Sequence, residues 1–316
     1  MNNVCRILNI RYPIIQGGMG NISNAQLTSA ISEAGGLGTI GAGTMTPEEL
    51  EQIIVETKKR TDKPFAVNIP INVTPYLKEV GTLLIKHNVP VVSLSAGNPS
   101  PLIPKFHEKG IKVITVTASV RQAKKAEEAG ADIIVAEGYE AAGINSNLEL
   151  TTMTLIPQIV KAVNVPVVAA GGIGDGYGLL AAFALGAQGV QMGTRFIATK
   201  EAPFHENYKN LVVNASETET VIIGRSVGRV RRVIKTPYVE KLLDMEEKGL
   251  TLEEFNEYTS EHHHKLGALK GNVTDGYVNA GQISGLIQDV PSVAELLEKI
   301  MSEAKERLGG IADLLT

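Results

Sequence analysis

Short runs of β-branched and aliphatic residues recur along the first two thirds of the chain, each followed by a longer amphipathic stretch. Eight such runs occupy residues 13–16, 37–40, 65–71, 91–95, 112–117, 132–136, 165–170 and 189–192. They are continuous Val/Ile segments instead of alternating apolar and polar positions. That marks strands buried on both faces, as in a parallel sheet wrapped by helices. Helical stretches separate them, for example 24–34, 120–129 and 151–163. One helix start is explicit in Thr46-Pro47-Glu48-Glu49. The threonine caps, the proline suits the first helical position, and the acids favour the positive end of the helix dipole. Eight βα units close naturally into a (β/α)8 TIM barrel of the α/β class. An open doubly wound sheet is the alternative, because a sequence does not display closure.

After Phe196 the rhythm changes. Residues 205–270 are rich in charged helix formers, such as Asp244-Met245-Glu246-Glu247-Lys248, and show no clear strand pair. This predicts a helical insertion over the barrel mouth. Residues 292–308 are amphipathic and predict a closing helix. The expected organisation is a barrel over 1–204, a helical lid over 205–280, and a segment returning to the barrel over 281–316. At 316 residues the chain suits one barrel with an insertion.

Charge and cysteine content exclude several classes. A formal net charge of −4 argues against a nucleic-acid or membrane-surface protein. No window approaches the roughly 18 apolar residues of a membrane span, and residues 1–12 carry no signal-type apolar core. A single cysteine, Cys5, precludes an intrachain disulfide and is read as a buried or incidental thiol. A cytoplasmic enzyme is expected. No metal is expected. His262-His263-His264 point in different directions on a helix, lack a carboxylate or cysteine set, and are read as a solvated face. The basic run Arg225, Arg229, Arg231 and Arg232 is read either as a phosphate contact or as charges facing solvent.

Two glycine-rich loops carry the first chemical signal. Gly171-Gly172-Ile173-Gly174-Asp175-Gly176 follows the seventh run and Gly193-Thr194-Arg195 the eighth. Barrel active sites lie at the C-terminal strand ends, and loops after strands seven and eight recurrently bind phosphate. Glycines let backbone N–H groups approach phosphate oxygens, and Thr194 adds a hydroxyl. Tight βα turns alone, or a sugar phosphate, remain alternatives. Asn68, Ser95 to Pro99 and Glu137 close other strands at the same end, where buried polar groups need partners.

Taken in order, Gln16-Gly17-Gly18-Met19, Pro64-Phe65-Ala66-Val67-Asn68-Ile69, Ala96-Gly97-Asn98-Pro99, Glu137-Gly138-Tyr139-Glu140-Ala141 and Thr151-Thr152-Met153-Thr154-Leu155 form a recognisable series. Ala169 to Ile173, Gln191-Met192-Gly193-Thr194-Arg195-Phe196 and Ala280-Gly281-Gln282 complete it. The chain resembles the nitronate monooxygenase and flavin-dependent enoyl-acyl-carrier-protein reductase family over nearly its whole length. It is most similar to the reductase branch. The resemblance implies non-covalent FMN reduced by NADH or NADPH. Gly18 and Met19 would then lie along the flavin ring with Asn68. Gly172, Gly174, Gly193 and Thr194 would hold the phosphate, Glu137 and Gly171 would complete the cofactor set, and Gln282 would reach in from the C-terminal segment. The implied partners are a small-molecule or acyl-thioester substrate and a second copy in a homodimer.

One position departs from the family pattern. Members carry a histidine, thought to exchange a proton with substrate, where this chain has Ile144 in Gly143-Ile144-Asn145-Ser146. Isoleucine has no titratable group. Asn145 and Ser146 can hydrogen-bond a substrate carbonyl or nitro group, or can be loop residues capping the helix near Thr151. His205 is a further candidate proton donor, or else a capping residue. The chemistry expected is reduction of an enoyl thioester or related activated alkene. The alternatives are oxidation of an anionic nitronate with oxygen, which needs no base, and a non-catalytic flavin-binding protein.

Overall fold

The protein is described over residues 2–314 by a computed structural model. Eight parallel strands form one sheet: β1 (Ile14–Gln16), β2 (Gly38–Gly41), β3 (Phe65–Pro70), β4 (Val91–Ser95), β5 (Lys112–Thr117), β6 (Ile133–Glu137), β8 (Val167–Ala170) and β9 (Gly189–Met192). A two-residue strand, β7 (Gly143–Ile144), lies in a second sheet, so the seventh and eighth barrel strands are β8 and β9. The spatial order is β1-β9-β8-β6-β5-β4-β3-β2. The ring closes where Gln16 N donates to Leu37 O and Leu37 N to Ile14 O, each at 2.9 Å, around the parallel bridge Ile15–Leu37. The TIM barrel expected from the eightfold pattern is therefore present, and the open sheet is excluded.

Both strand faces are buried, as the apolar runs require. Val91, Ile114, Ile133 and Val168 pack inside the barrel, while their neighbours Val92, Val113, Ile134 and Val167 pack outward against the helices. The floor is closed by a helix the sequence reading did not anticipate, Asn3–Leu8, which contributes Val4 and Leu8 to the interior cluster. Asn2 caps this helix by accepting from Cys5 N at 3.2 Å. Asn2 and Asn3 reach across to Gln188, just before β9, at 2.7 and 3.0 Å. Cys5 is buried in this layer, and burial pushes its thiol up, which suits an inert packing role.

The region after β9 differs from its all-helical expectation. β10 (Thr220–Ile223) and β11 (Arg231–Ile234) pair antiparallel, and β7 joins as a third strand through Arg231 opposite Ile144 and Arg232 opposite Gly143. Helices Glu206–Val213, Pro237–Glu247, Leu252–Tyr258 and Glu261–Lys270 surround this sheet. Two arginines opening a strand disguise it in the sequence. Arg232 is nevertheless buried, because its guanidinium donates to Tyr139 O at 3.0 and 3.1 Å and to Thr220 Oγ1 at 3.3 Å. Arg225 donates to Tyr139 Oη at 2.6 Å and to Glu149 at 3.1 Å. The basic run therefore fastens the loop after β6 to the insertion instead of simply facing solvent.

The closing helix spans Val293–Leu314. It docks on helix Gly176–Ala184, where a Cβ on Gly176 would lie only 2.4 Å from Glu303 Cβ. Gly176 N donates to Glu303 Oε2 at 3.1 Å, so the helix behind the first glycine loop is held by the end of the chain. Among the described residues, no helix is long and apolar enough to cross a membrane.

Candidate active site

The C-terminal strand ends surround a cavity of about 1440 Å³. At one side lies the pair of glycine loops. Gly171 and Gly172 adopt φ of +96° and +70°, which side-chain-bearing residues rarely occupy. Among the described residues, the backbone N–H groups of Gly172, Ile173 and Gly193 find no acceptor in the protein. A Cβ on Gly193 would meet nothing within 4 Å, so the space beside it is open. Thr194 is buried and its Oγ1 accepts from Gly281 N at 3.0 Å, leaving its own hydroxyl proton available. Orphan amides, an open cradle and a spare hydroxyl fit a phosphate.

Gly17, Gly18 and Met19 follow β1 on another wall. Gly18 is required there, since a Cβ would stand 2.7 Å from Asn68 Cβ and Oδ1. Asn68 is held by donating to Ser93 O at 3.2 Å and to the hydroxyls of Ser93 and Ser95 at 3.3 and 3.2 Å. Gln191, from β9, packs its side chain against Gly17. Glu137 closes β6 on the cavity, and burial pushes its carboxyl up to about 7. These walls are glycine-lined and mostly uncharged, a surface that fits a planar heteroaromatic ring.

The loop after β6 is stapled internally. The Glu140 carboxylate accepts from Thr152 N at 2.9 and 3.0 Å and from Thr152 Oγ1 at 2.9 Å. Glu140, not Asn145 or Ser146, therefore caps helix Thr152–Val160. Asn145 and Ser146 both line the cavity. The Asn145 amide nitrogen donates to Ala141 O at 2.8 Å and Tyr139 O at 3.5 Å, so its donors serve the loop and its Oδ1 faces no protein donor. Ser146 Oγ accepts from Leu148 N at 3.2 Å, and its proton remains free to donate. Ile144 is half exposed, at 50%, and its side chain lies on the cavity wall.

The insertion and the segment after it supply the opposite wall through Arg231, Glu261, His264 and Asn279. His264 is buried and stacks on Tyr277 with ring centroids 5.2 Å apart. The reading of all three histidines as a solvated face fails at this residue. Helix Glu261–Lys270 buries His264, Gly267 and Ala268, an i, i+3, i+4 stripe that was visible in the sequence. Three predicted residues do not line the cavity. Gly174 instead gives close packing, with its Cβ position 2.7 Å from Ile283 Cγ1. Gln282 is exposed and contributes only its backbone N–H, to Glu140 O at 3.0 Å. His205 is exposed and caps helix Glu206–Val213 by accepting from Asn207 N at 3.1 Å.

Comparison with known proteins agrees with this geometry. The family model described as nitronate monooxygenase matches residues 2–76 and 71–303. A probable nitronate monooxygenase of Staphylococcus saprophyticus is 35% identical, with 96% of this chain and 97% of the relative covered. A (3aS,4S,5R,7aS)-5-hydroxy-7a-methyl-1-oxo-octahydro-1H-indene-4-carboxyl-CoA dehydrogenase of Mycobacterium tuberculosis is 33% identical, with 94% of each chain covered. The solved structure of FabK from Thermotoga maritima superposes with a TM-score of 0.95 at 40% identity, covering 99% of both chains. The chain therefore belongs to the nitronate monooxygenase family of flavin-dependent oxidoreductases.

Proposed function

We propose that this oxidoreductase carries FMN, draws electrons from NADH or NADPH, and reduces the carbon–carbon double bond of an enoyl thioester. The observation that carries this reading is the extent of the cavity. It runs from the glycine cradle past the ends of β4 and β5 to Arg121 and Lys125. Its volume, about 1440 Å³, exceeds the roughly 300–1,000 Å³ usual for one small ligand. A flavin beside a long acyl-thioester arm needs such room, and a short nitroalkane does not. Likeness to FabK and to a CoA-thioester dehydrogenase supports the same choice.

The chemistry FMN supplies when bound is hydride transfer between a nicotinamide and an activated alkene. The residues provide position and polarity. With FMN bound, the amides of Gly172, Ile173 and Gly193 and the Thr194 hydroxyl would hold the phosphate, and Gly18, Met19 and Asn68 would flank the ring. Ser146 donates to the thioester oxygen as negative charge gathers there. Arg231 adds a positive field on that wall. The second reading, oxidation of an anionic nitronate, is favoured by Ile144, which removes the family's base.

Anaerobic stopped-flow separates the two. Purified protein should be yellow, NADH or NADPH should bleach it, and crotonyl thioester should restore the colour. Restoration by oxygen in the presence of a nitronate, with no response to the thioester, overturns the reductase in favour of the monooxygenase.

A further inference from the structure

Seven buried side-chain polar atoms have no hydrogen-bond partner among the described residues, and three of them cluster on one cavity wall: Arg231 Nε, Glu261 Oε2 and Asn279 Oδ1. Buried groups left unpaired are costly, so such a cluster calls for a reason. His264 stands in the middle of it. Its Nε2 lies 3.1 Å from Asn279 Nδ2 and its Nδ1 lies 3.8 Å from Glu261 Oε2.

This surround accommodates two charge states. A neutral ring that accepts at Nε2 from the Asn279 amide carries its proton on Nδ1, 3.8 Å from Glu261 Oε2, and leaves Asn279 Oδ1 unsatisfied. An imidazolium donates from both nitrogens. Turning the Asn279 amide by half a revolution brings Oδ1 against Nε2–H, while Nδ1–H faces Glu261. Asn279 Oδ1 is the orphan acceptor that protonation of His264 at Nε2 would satisfy, while the Glu261 carboxylate faces Nδ1–H in both states. Only an amide turn separates the states, which is what a group that gives up and regains a proton requires.

The location matches. A Cβ on Gly143 would lie 3.7 Å from Asn279 Cγ, so Asn279 adjoins Gly143 and hence the loop that carries the family histidine. A Cβ on Gly20 would lie 3.6 Å from Glu261 Oε1, so Glu261 adjoins the loop after β1. Position 144 itself is opposite Arg231 in the β7–β11 pair, on the same sheet face.

We infer that His264 is the catalytic acid of this enzyme, positioned by Glu261 and Asn279, and that it replaces the proton donor missing at Ile144. The inference rests on the reductase reading. As hydride reaches the β-carbon, the π pair moves to the α-carbon and takes the Nε2 proton of the imidazolium, which gives up its hydrogen bond to Asn279 Oδ1 for the new C–H bond. Two C–H bonds form, the π bond is lost, and neutral His264 regains its proton from water. The groups facing His264 are Glu261 on its own helix, the Tyr277 ring stacked on it, Asn279, and Arg231 beyond Tyr277.

The test uses FMN-loaded wild type, His264→Gln, the smaller change His264→Asn, and His264→Gln combined with Ile144→His. Both single variants should retain FMN, be reduced by nicotinamide at the wild-type rate, and bind butyryl thioester with the wild-type flavin absorbance shift. Reoxidation by crotonyl thioester should fall by about 10²-fold or more. The double variant should recover at least tenfold. Unchanged reoxidation in the single variants, or loss of FMN from both, overturns the assignment and makes His264 structural. If wild type ignores the thioester, the reductase reading fails separately, and the acid is then read as a base on a neutral nitroalkane. His264→Gln should lose oxidation of the neutral form while keeping that of the nitronate. Wild type that turns over neither substrate overturns both.

Discussion

The floor and the mouth of this barrel are built from the same strands and solve opposite problems. At the floor, Val4 and Leu8 from helix Asn3–Leu8 fill the interior against Ile15, Val91 and Ile133. At the mouth, the same strands end in glycines, Asn68 and Glu137, and the facing wall retains three unpartnered polar atoms. The floor gains stability from apolar burial. The mouth gives stability up to keep donors, acceptors and space available for something that is not protein.

The contrast is broken most severely at Gly193. Its φ of −111° is open to any residue and its Cβ would meet nothing, so Gly193→Leu should fold normally and fill the cradle. FMN affinity should fall by more than about 100-fold, with apo stability within about 0.5 kcal/mol of wild type. Fluorescence titration and denaturant unfolding measure the two. Normal flavin content in this variant would falsify the cradle.

Leu8→Ala is the converse. It leaves a cavity under a fully enclosed side chain and should cost about 2–5 kcal/mol in denaturant unfolding while leaving FMN affinity alone. A matching loss of flavin affinity would mean that floor and mouth are not independent.

Glu137 sharpens the comparison through pH. Its carboxyl is raised from 4.5 to about 7, so the folded apo-protein holds a proton that the unfolded chain releases in that window. The stabilising contribution is complete below the ordinary carboxylate value, declines as pH rises through the window, and is flat above about 7. Glu137→Gln should remove the decline and raise stability at pH 8 by about 1–2 kcal/mol, less than the full shift implies because the group borders an open cavity. Identical pH profiles for the two proteins would refute the burial of this carboxyl.

The smallest effect is expected at Gln282, whose side chain is exposed. Gln282→Ala should change FMN affinity and stability by less than about 0.5 kcal/mol. A tenfold loss of affinity would restore it to the cofactor set.

The barrel half was legible because its signals are local. Continuous Val/Ile runs located all eight strands to within a few residues, and the two glycine loops lie at the C-terminal strand ends where the sequence put them. The insertion was not, because its order depends on distant partners. Thr220–Ile223 is only four residues long, and Arg232 looks solvated until its guanidinium donates to Tyr139 O, 93 residues earlier. His264 carried a usable signal in its spacing to Gly267 and Ala268, but the flanking His262 and His263 obscured it. Gly174 and Gln282 were marked by motif position alone; in the fold Gly174 packs closely on Ile283 and Gln282 N donates to Glu140 O.

The floor helix also sets a timetable. Asn3 is joined to Gln188 across 185 residues. During synthesis at roughly 5–20 residues per second, the segment carrying Val4 and Leu8 leaves the ribosome about 10–40 s before its seat exists. Throughout that interval its apolar side chains have no native partner, and the ring cannot close. Chaperone dependence of this protein should therefore respond to the apolarity of its first ten residues more than to any change at the mouth.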